Sequence, residues 1–241
     1  MTITQSVSQL IRESRAIFYG WIVVACVCVI LFIAFGSVYS FTTFFKSLQV
    51  EFQTTRSSTS LIFAIAGFIY FCLGAVSGQI ADRIGSKWVI TFGVLVIGTA
   101  LLVASRAATV QQIYAIYGLG IGIGVGFVYV PAVGVVQRWF VQKRGLATGI
   151  AVTGIGLGTL CMPAASAVLI HWSDWRTAYL VMSLFVFAFG IIAALLAKFR
   201  VSDVLFLALF LFEFFLNFQF NWQAMAIPAR HKWHIKAQHA A

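Results

Sequence analysis

Ionised side chains are scarce in this sequence of 241 residues. Asp and Glu together number 6 and Lys and Arg 16, so charged residues make up 9% of the chain, against 61% apolar residues. A water-soluble chain usually carries about a quarter charged residues. This composition excludes a soluble enzyme, a secreted disulfide scaffold and a nucleic-acid-binding domain.

Cysteines in paired, metal-binding spacing are also missing. The four cysteines include no C-x-x-C pair, and no histidine follows them at the spacing of a metal site. The sequence also has no phosphate-binding loop and no nucleophile–base pair within its apolar runs. We therefore expect no metal centre, no cofactor and no enzymatic activity.

Long uncharged runs separate the few charged residues. A bilayer core requires roughly 20 apolar residues for each spanning helix, and six runs reach this length. The sequence therefore predicts an all-α, polytopic transmembrane bundle. Its six helices are predicted over about 21–45, 57–81, 88–105, 112–137, 145–171 and 177–197.

The distribution of basic residues predicts the topology. With a cytoplasmic N-terminus, nine basic residues lie inside: Arg12, Arg15, Arg83, Lys87, Arg138, Lys143, Arg144, Lys198 and Arg200. Four lie outside: Lys46, Arg56, Arg106 and Arg176. This positive-inside bias predicts a multi-pass protein of the plasma (inner) membrane with a cytoplasmic N-terminus. The net charge of +10 thus indicates a lipid bilayer as the partner, and no nucleic acid.

Three regions follow from this pattern. Residues 1–18 are a polar cytoplasmic segment, 19–199 the six-helix bundle, and 200–241 an atypical tail. Within the tail, 204–220 is a further apolar run, which either spans as a seventh helix or stays at the cytoplasmic interface. We interpret the tail as an aberrant end, left by a truncation or frameshift.

Glycines recur at four-residue intervals in the fourth and fifth runs. The fourth run contains two series of glycines, at 118/122/126 and at 120/124. The fifth run contains two pairs, at 145/149 and at 154/158. Such small-residue faces let helix backbones approach closely in lipid. Static packing and sliding helices explain this spacing equally well.

The segment between the second and third helices carries a specific motif, Gly78-Gln-Ile-Ala-Asp82-Arg83-Ile-Gly85-Ser-Lys87. Glycine at 85 suits a tight turn, and Asp82 offers a carboxylate to an Arg or a helix N-terminus. The motif resembles the G-x-L-A-D-R-x-G-R-R/K signature of the major facilitator superfamily. The resemblance implies that these residues form part of a conformational latch.

A second stretch narrows the resemblance. Tyr129-Val-Pro131-Ala is followed by Arg138-Trp-Phe-x-x-Lys143-Arg144-Gly and the glycine pairs. This stretch is similar to helices 4–5 of the monocarboxylate transporter and oxalate/formate antiporter group. The resemblance implies one six-helix half of a rocking transporter for a small organic anion, with the basic residues Arg138, Lys143 and Arg144 in the latch.

Aromatic hydroxyls are the substrate ligands that this half offers. Mammalian-type monocarboxylate carriers have a lysine in helix 1 at the position of Tyr39, and the six uncharged runs supply no charge in its place. We therefore expect Tyr39, Tyr70 and Tyr129 to contact substrate, although bonds to neighbouring helices would explain them too. In the resembling families, an Arg of the second half neutralises the anion.

Besides completion by a second six-helix half, two alternatives remain open at this stage. In the first, the chain is a half-size carrier that is active as a homodimer. In the second, it is a truncated membrane fragment that transports nothing. Flux with this chain alone would separate these readings.

Overall fold

Six long helices make up the fold in the computed structural model, which describes residues 3–140 and 142–196. All six have a membrane-spanning length and composition. The predicted tail 200–241 and its apolar run 204–220 lie outside the described residues. The helices are α1 Ile3–Glu51, α2 Arg56–Ile84, α3 Ser86–Ala104, α4 Val110–Trp139, α5 Arg144–Trp172, and α6, which starts at Trp175 and is described as far as Leu196.

The helices are longer than the uncharged runs that predict them. The Asp82 motif, which the sequence places between the second and third helices, continues α2 as far as Ile84, and only Gly85 separates α2 from α3. Arg138 and Arg144 likewise lie on helix ends. Charged side chains do not stop a helix where it leaves the hydrocarbon, since its backbone hydrogen bonds continue unchanged into water.

Consecutive helices run in opposite directions, so the connections gather at two ends of the bundle. At one end Tyr19 contacts Trp139, with ring centroids 5.2 Å apart, and its hydroxyl donates to the Leu196 carbonyl at 3.2 Å. We call this the Asp82 end. At the opposite end, the Glu51 end, Arg176 pairs with Glu51 at 2.9 Å and donates to the Ala107 carbonyl at 3.1 Å.

The glycine series of α4 lie on two faces that contact two different helices. A Cβ added at Gly122 would lie 2.9 Å from the Ala66 carbonyl oxygen of α2. On the other face, a Cβ at Gly124 would lie 2.8 Å from the carbonyl oxygen of Gly93 in α3, and one at Gly93 would lie 2.6 Å from that of Gly124. Glycine is therefore required for α4 to fit between α2 and α3.

Only one of the two glycine pairs in α5 is packed. A Cβ at Gly154 would collide with the Cys28 carbonyl of α1, and one at Gly158 with the Phe32 carbonyl. Gly145 and Gly149 have no atom within 4 Å of an added Cβ in the described part of the chain. The expectation that both pairs bring backbones together is wrong for 145/149 within this bundle.

Burial is uneven among the helices. In its most apolar stretch, 67% of α1 is buried, against 22% for each of α2 and α5. The α1 core contains Phe44, which stacks on Tyr179 of α6 with ring centroids 3.9 Å apart. Tyr117 of α4 donates to the Ser37 carbonyl at 2.6 Å. The bundle is thus built around α1 and leaves α2 and α5 the most open.

Candidate functional site

Two of the three predicted substrate tyrosines converge on one phenylalanine. Phe35 of α1 makes edge-to-face contacts with Tyr70 of α2, at 6.0 Å between ring centroids, and with Tyr129 of α4, at 5.4 Å. Edge-to-face geometry is the favoured arrangement of aromatic rings. Three helices therefore contribute to a single aromatic cluster.

Tyr39, the third predicted tyrosine, lies one helical turn beyond Phe35 on α1. It contacts Phe63 of α2 at 5.9 Å between centroids, and its side chain is exposed. Phe63 lies two helical turns before Tyr70 on α2, so the Tyr39–Phe63 contact lies beside the Phe35–Tyr70 contact of the same two helices. The structure thus brings all three tyrosines into one region.

The hydroxyls of these tyrosines have no hydrogen-bond partner among the described residues. Tyr114 and Tyr117 differ: Tyr114 donates to the Ser58 carbonyl at 2.6 Å, and Tyr117 donates to the Ser37 carbonyl, whereas the buried hydroxyl of Tyr179 likewise has no partner among the described residues. A phenol surrounded by apolar groups normally finds a partner. The three free hydroxyls are therefore available to a ligand.

Phe35 is a member of this cluster that the sequence analysis missed. It lies four residues before Tyr39, and residues four apart share one face of a helix. The four-residue spacing between Phe35 and Tyr39 is the one sequence feature that points to Phe35. It is too common in apolar helices to select Phe35 without the positions of α2 and α4.

The predicted latch residues contain one ion pair. Arg138 at the end of α4 donates to Asp82 at the end of α2, with 2.7 Å between the guanidinium nitrogen and the carboxylate oxygen. The two side chains are 55% and 68% exposed. Solvent-exposed pairs stabilise a fold by only about 0–1 kcal/mol, so this pair breaks at little cost.

The backbone around Asp82 explains the two motif glycines. A Cβ at Gly78 would lie 3.2 Å from Val130 of α4, so glycine lets α2 and α4 approach. Gly85 has φ of 101°, a conformation that residues with a side chain rarely adopt. This residue turns the chain from α2 directly into α3.

The remaining basic residues of the predicted latch are spread over the same end. The Lys87 ammonium lies 4.6 Å from the ring centre of Trp88, and Arg83 lines a cavity of about 660 Å³ together with Asp82, Lys87 and Arg138. Arg144 lines a separate, smaller cavity, and Lys143 precedes α5. The structure does not join Lys143 or Arg144 to the Asp82–Arg138 pair.

Among the side chains that the structure describes, no group of three or more potential metal ligands occurs. All four cysteines are free thiols. Cys72 and Cys161 lie exposed on α2 and α5, the two most open helices.

Comparison with known proteins gives consistent matches over most of the chain. Residues 27–203 match the family model of the Major Facilitator Superfamily. Monocarboxylate transporter 1 of Mus musculus is 30% identical over 168 residues, which are 68% of this chain and 33% of that protein.

Two further relatives cover similar regions. Monocarboxylate transporter 12-B of Danio rerio is 27% identical over 178 residues, 74% of this chain and 37% of that protein. MFS-type transporter 1 of Ophiocordyceps sp. (strain BCC 1869) is 32% identical over 178 residues, 71% of this chain and 40% of that protein. The chain thus spans well under half the length of these relatives. With a family match over 27–203, it belongs to the Major Facilitator Superfamily.

Proposed function

We propose that this chain forms one six-helix half of a secondary transporter for a small organic anion such as a monocarboxylate, oxalate or formate. Family membership favours transport over enzymatic catalysis, as the sequence predicts. The relatives named as monocarboxylate transporters support the substrate class.

The observation that carries the proposal is the tyrosine cluster around Phe35. Tyr39, Tyr70 and Tyr129 come from three helices, and their hydroxyls have no partner in the described part of the chain. Tyr70 is the middle residue of α2, which is the depth at which transporters of this kind hold substrate. Phenol hydroxyls donate hydrogen bonds to carboxylate oxygens, and the rings contact an apolar substrate body.

In this proposal, a second six-helix unit supplies the positive charge that balances the substrate carboxylate. The uncharged runs of this half contain no cation to balance a carboxylate, and a buried anion without a counter-charge is costly. The open helices α2 and α5 support docking of a second six-helix unit, since Gly145 and Gly149 present a smooth, unoccupied surface. A second half with its own Arg, or a second copy of this chain, would occupy that surface.

The Asp82–Arg138 pair is the proposed latch at the cytoplasmic face. An exposed ion pair that exchanges partners at little cost suits two states of similar free energy. Asp82 would hold one arrangement of the two halves, and substrate binding at the tyrosines would favour the other. This is the rocking of one half against the other around a midplane site.

The membrane orientation belongs to the same proposal. With the N-terminus in the cytoplasm, the Asp82 end faces the cell interior of the plasma membrane, and the Glu51 end faces outward. The excess of basic residues at the Asp82 end supports this orientation.

Uptake measurements test the proposal directly. The full chain is reconstituted into proteoliposomes, and entry of labelled lactate, pyruvate, oxalate and formate is followed beside liposomes that hold a full-length relative. Saturable uptake of one of these anions by the chain, alone or with a separately expressed second half, is expected. Uptake by the relative, but by no combination containing this chain, would reduce it to a non-transporting fragment.

A further inference from the structure

Helix α6 contains a π-helical turn at Val186–Gly190. The hydrogen bonds of a π turn join residues five apart, and such turns are rare in proteins and occur frequently at functional sites. The Ser183 hydroxyl donates to the Gly98 carbonyl of α3 at 2.9 Å, and a Cβ at Gly190 would lie 2.8 Å from Val94 of α3. The π turn is therefore fixed against α3, and it is the point at which α6 can change direction.

The part of α6 that precedes the π turn, Trp175–Phe185, packs on the end of α1. We call it the first segment of α6. Three contacts join it to the end of α1 and to the residue that follows, and they pair Tyr179 with Phe44, Arg176 with Glu51 and Trp175 with Phe52. Because these contacts are lost when one helix moves alone, we expect the two helix ends to move together.

Helix α1 has its own point of bending beside the tyrosine cluster. The Ser37 hydroxyl donates to the Ile33 carbonyl at 2.7 Å, the Ser40 hydroxyl donates to the Ser37 carbonyl at 2.8 Å, and both serines are fully buried. Serine hydroxyls that bond to carbonyls of the preceding turn often bend a helix. Phe35 and Tyr39 lie in this same stretch, so a bend of α1 here moves both rings relative to α2 and α4.

The Tyr179 hydroxyl indicates that the first segment of α6 has a second position. It is buried and has no hydrogen-bond partner in the described part of the chain. A buried hydroxyl without a partner raises the free energy of the arrangement that contains it. The ring of Tyr117 lies 5.9 Å from that of Tyr179 between centroids, and the Tyr117 hydroxyl donates to the Ser37 carbonyl but is still able to accept. A displacement of α6 that brings the two hydroxyls together would satisfy both.

We propose that the first segment of α6 pivots on the π turn and moves the end of α1 with it, and that Tyr179 donates to the Tyr117 hydroxyl in the second position. The bend of α1 carries this movement to Phe35 and Tyr39, so it changes access to the tyrosine cluster from the Glu51 end. This inference rests on the proposed transport function, and it adds a movement within one six-helix half to the rocking of the two halves.

Distances between spin labels test the movement without any transport. In a background without the four native cysteines, the exposed positions Leu61 of α2 and Val181 of α6 are changed to cysteine and labelled in the purified full chain. We expect two distances for this pair. In the control pair, Val76→Cys and Ile192→Cys, the α6 label lies beyond the π turn, and one distance is expected. A single distance for the pair at 61 and 181 would overturn the proposal.

Variants of the two tyrosines test the hydrogen bond. Tyr179→Phe keeps the ring on Phe44 and should shift the labelled pair at 61 and 181 towards the position described above. Its melting temperature should equal or exceed that of the parent, because the hydroxyl is unpaired in that position. Tyr117→Phe removes the acceptor and should give the same shift, and the double variant should shift no further. Parent-like distances in Tyr179→Phe would overturn the proposal.

Uptake by the completed transporter links the movement to function. Tyr179→Phe should lower the maximal rate several-fold and leave KM near the parent value, because it disfavours one position and leaves the tyrosine cluster intact. A maximal rate equal to that of the parent would overturn the role in transport. A parent that transports nothing would contradict the proposed function alone, since the two distances are measured in the absence of substrate.

Discussion

The Arg138 guanidinium and the Asp82 carboxylate lie 2.7 Å apart at the ends of α4 and α2. This ion pair joins the two sequence motifs that predict a latch. Because both side chains are largely exposed, the pair contributes little to folding. Its effect should therefore appear in transport and be nearly absent from stability.

Substitution Asp82→Asn removes the charge from this pair and keeps the shape of the side chain. We expect the unfolding free energy to change by less than about 1 kcal/mol, and uptake by the completed transporter to fall several-fold. Thermal melting and proteoliposome uptake measure the two effects. Glu51→Gln, in the ion pair at the opposite end, is the matched control and should affect uptake less. If Asp82→Asn takes up substrate at the rate of the parent, Asp82 is not part of the latch.

The tyrosine hydroxyls allow a comparison between binding and structural roles. Tyr70→Phe and Tyr129→Phe remove hydroxyls without a partner in the described residues, so stability should not fall. Each should raise the KM for the transported anion by at least about tenfold, since a hydrogen bond to a charged group contributes about 1.5–3 kcal/mol.

Tyr117→Phe is the control for these variants, because its hydroxyl donates to the Ser37 carbonyl. Here the melting temperature should fall, by an amount equivalent to about 1 kcal/mol, while KM stays near the parent value. If the Tyr70 and Tyr129 variants lose stability and keep the KM of the parent, the tyrosine hydroxyls do not bind substrate.

The two glycine pairs of α5 predict opposite responses to one added methyl group. Gly154→Ala forces a Cβ against the Cys28 carbonyl of α1 and should cost about 1–3 kcal/mol. Gly149→Ala meets no described atom within 4 Å and should stay within about 0.5 kcal/mol of the parent. Melting of both variants in detergent measures the difference. Equal melting temperatures would show that α5 does not approach α1 this closely.

The contacts of Arg176 predict that it contributes more to the stability of the bundle than its acidic partner Glu51 does. It pairs with Glu51 and also donates to the Ala107 carbonyl, so it joins α6 to α1 and to the segment before α4. Arg176→Gln should lower stability by about 1 kcal/mol, and Glu51→Gln by less, since its pair is exposed. Melting at low and high salt measures both. A larger loss for Glu51→Gln would contradict this ranking.

The proposed orientation predicts which positions a membrane-impermeant thiol reagent reaches. In a background without the four native cysteines, Lys87→Cys and Lys143→Cys should be labelled from the cytoplasmic side only, and Arg56→Cys and Arg106→Cys from the outside only. Labelling of intact cells and of inside-out vesicles separates the two cases. Labelling of positions 87 and 143 on opposite sides would refute the topology.

The helical membrane architecture and the family could be predicted from the sequence because both depend on local features. An uncharged run of roughly 20 residues satisfies its backbone groups in lipid only as a helix, whatever its neighbours are. The Asp82 motif occupies a short continuous segment, and Gly85 adopts the positive φ that such a turn requires. Helix ends were less predictable, since α2 continues through Asp82 into water.

Contacts between helices were decided only by the tertiary structure. The spacing of Gly145/Gly149 equals that of Gly154/Gly158, yet only the second pair meets α1, because packing depends on how each helix is rotated and where it crosses its neighbour. In the same way, Arg138 reaches Asp82 across 56 residues of sequence, and Phe35 meets Tyr70 and Tyr129 from two other helices. The sequence alone determined that six segments of the described residues are long and apolar enough to cross a bilayer, and which side chains those segments offer. The arrangement of the helices determined which of those side chains meet, since a free energy of contact exists only between groups that the fold brings together.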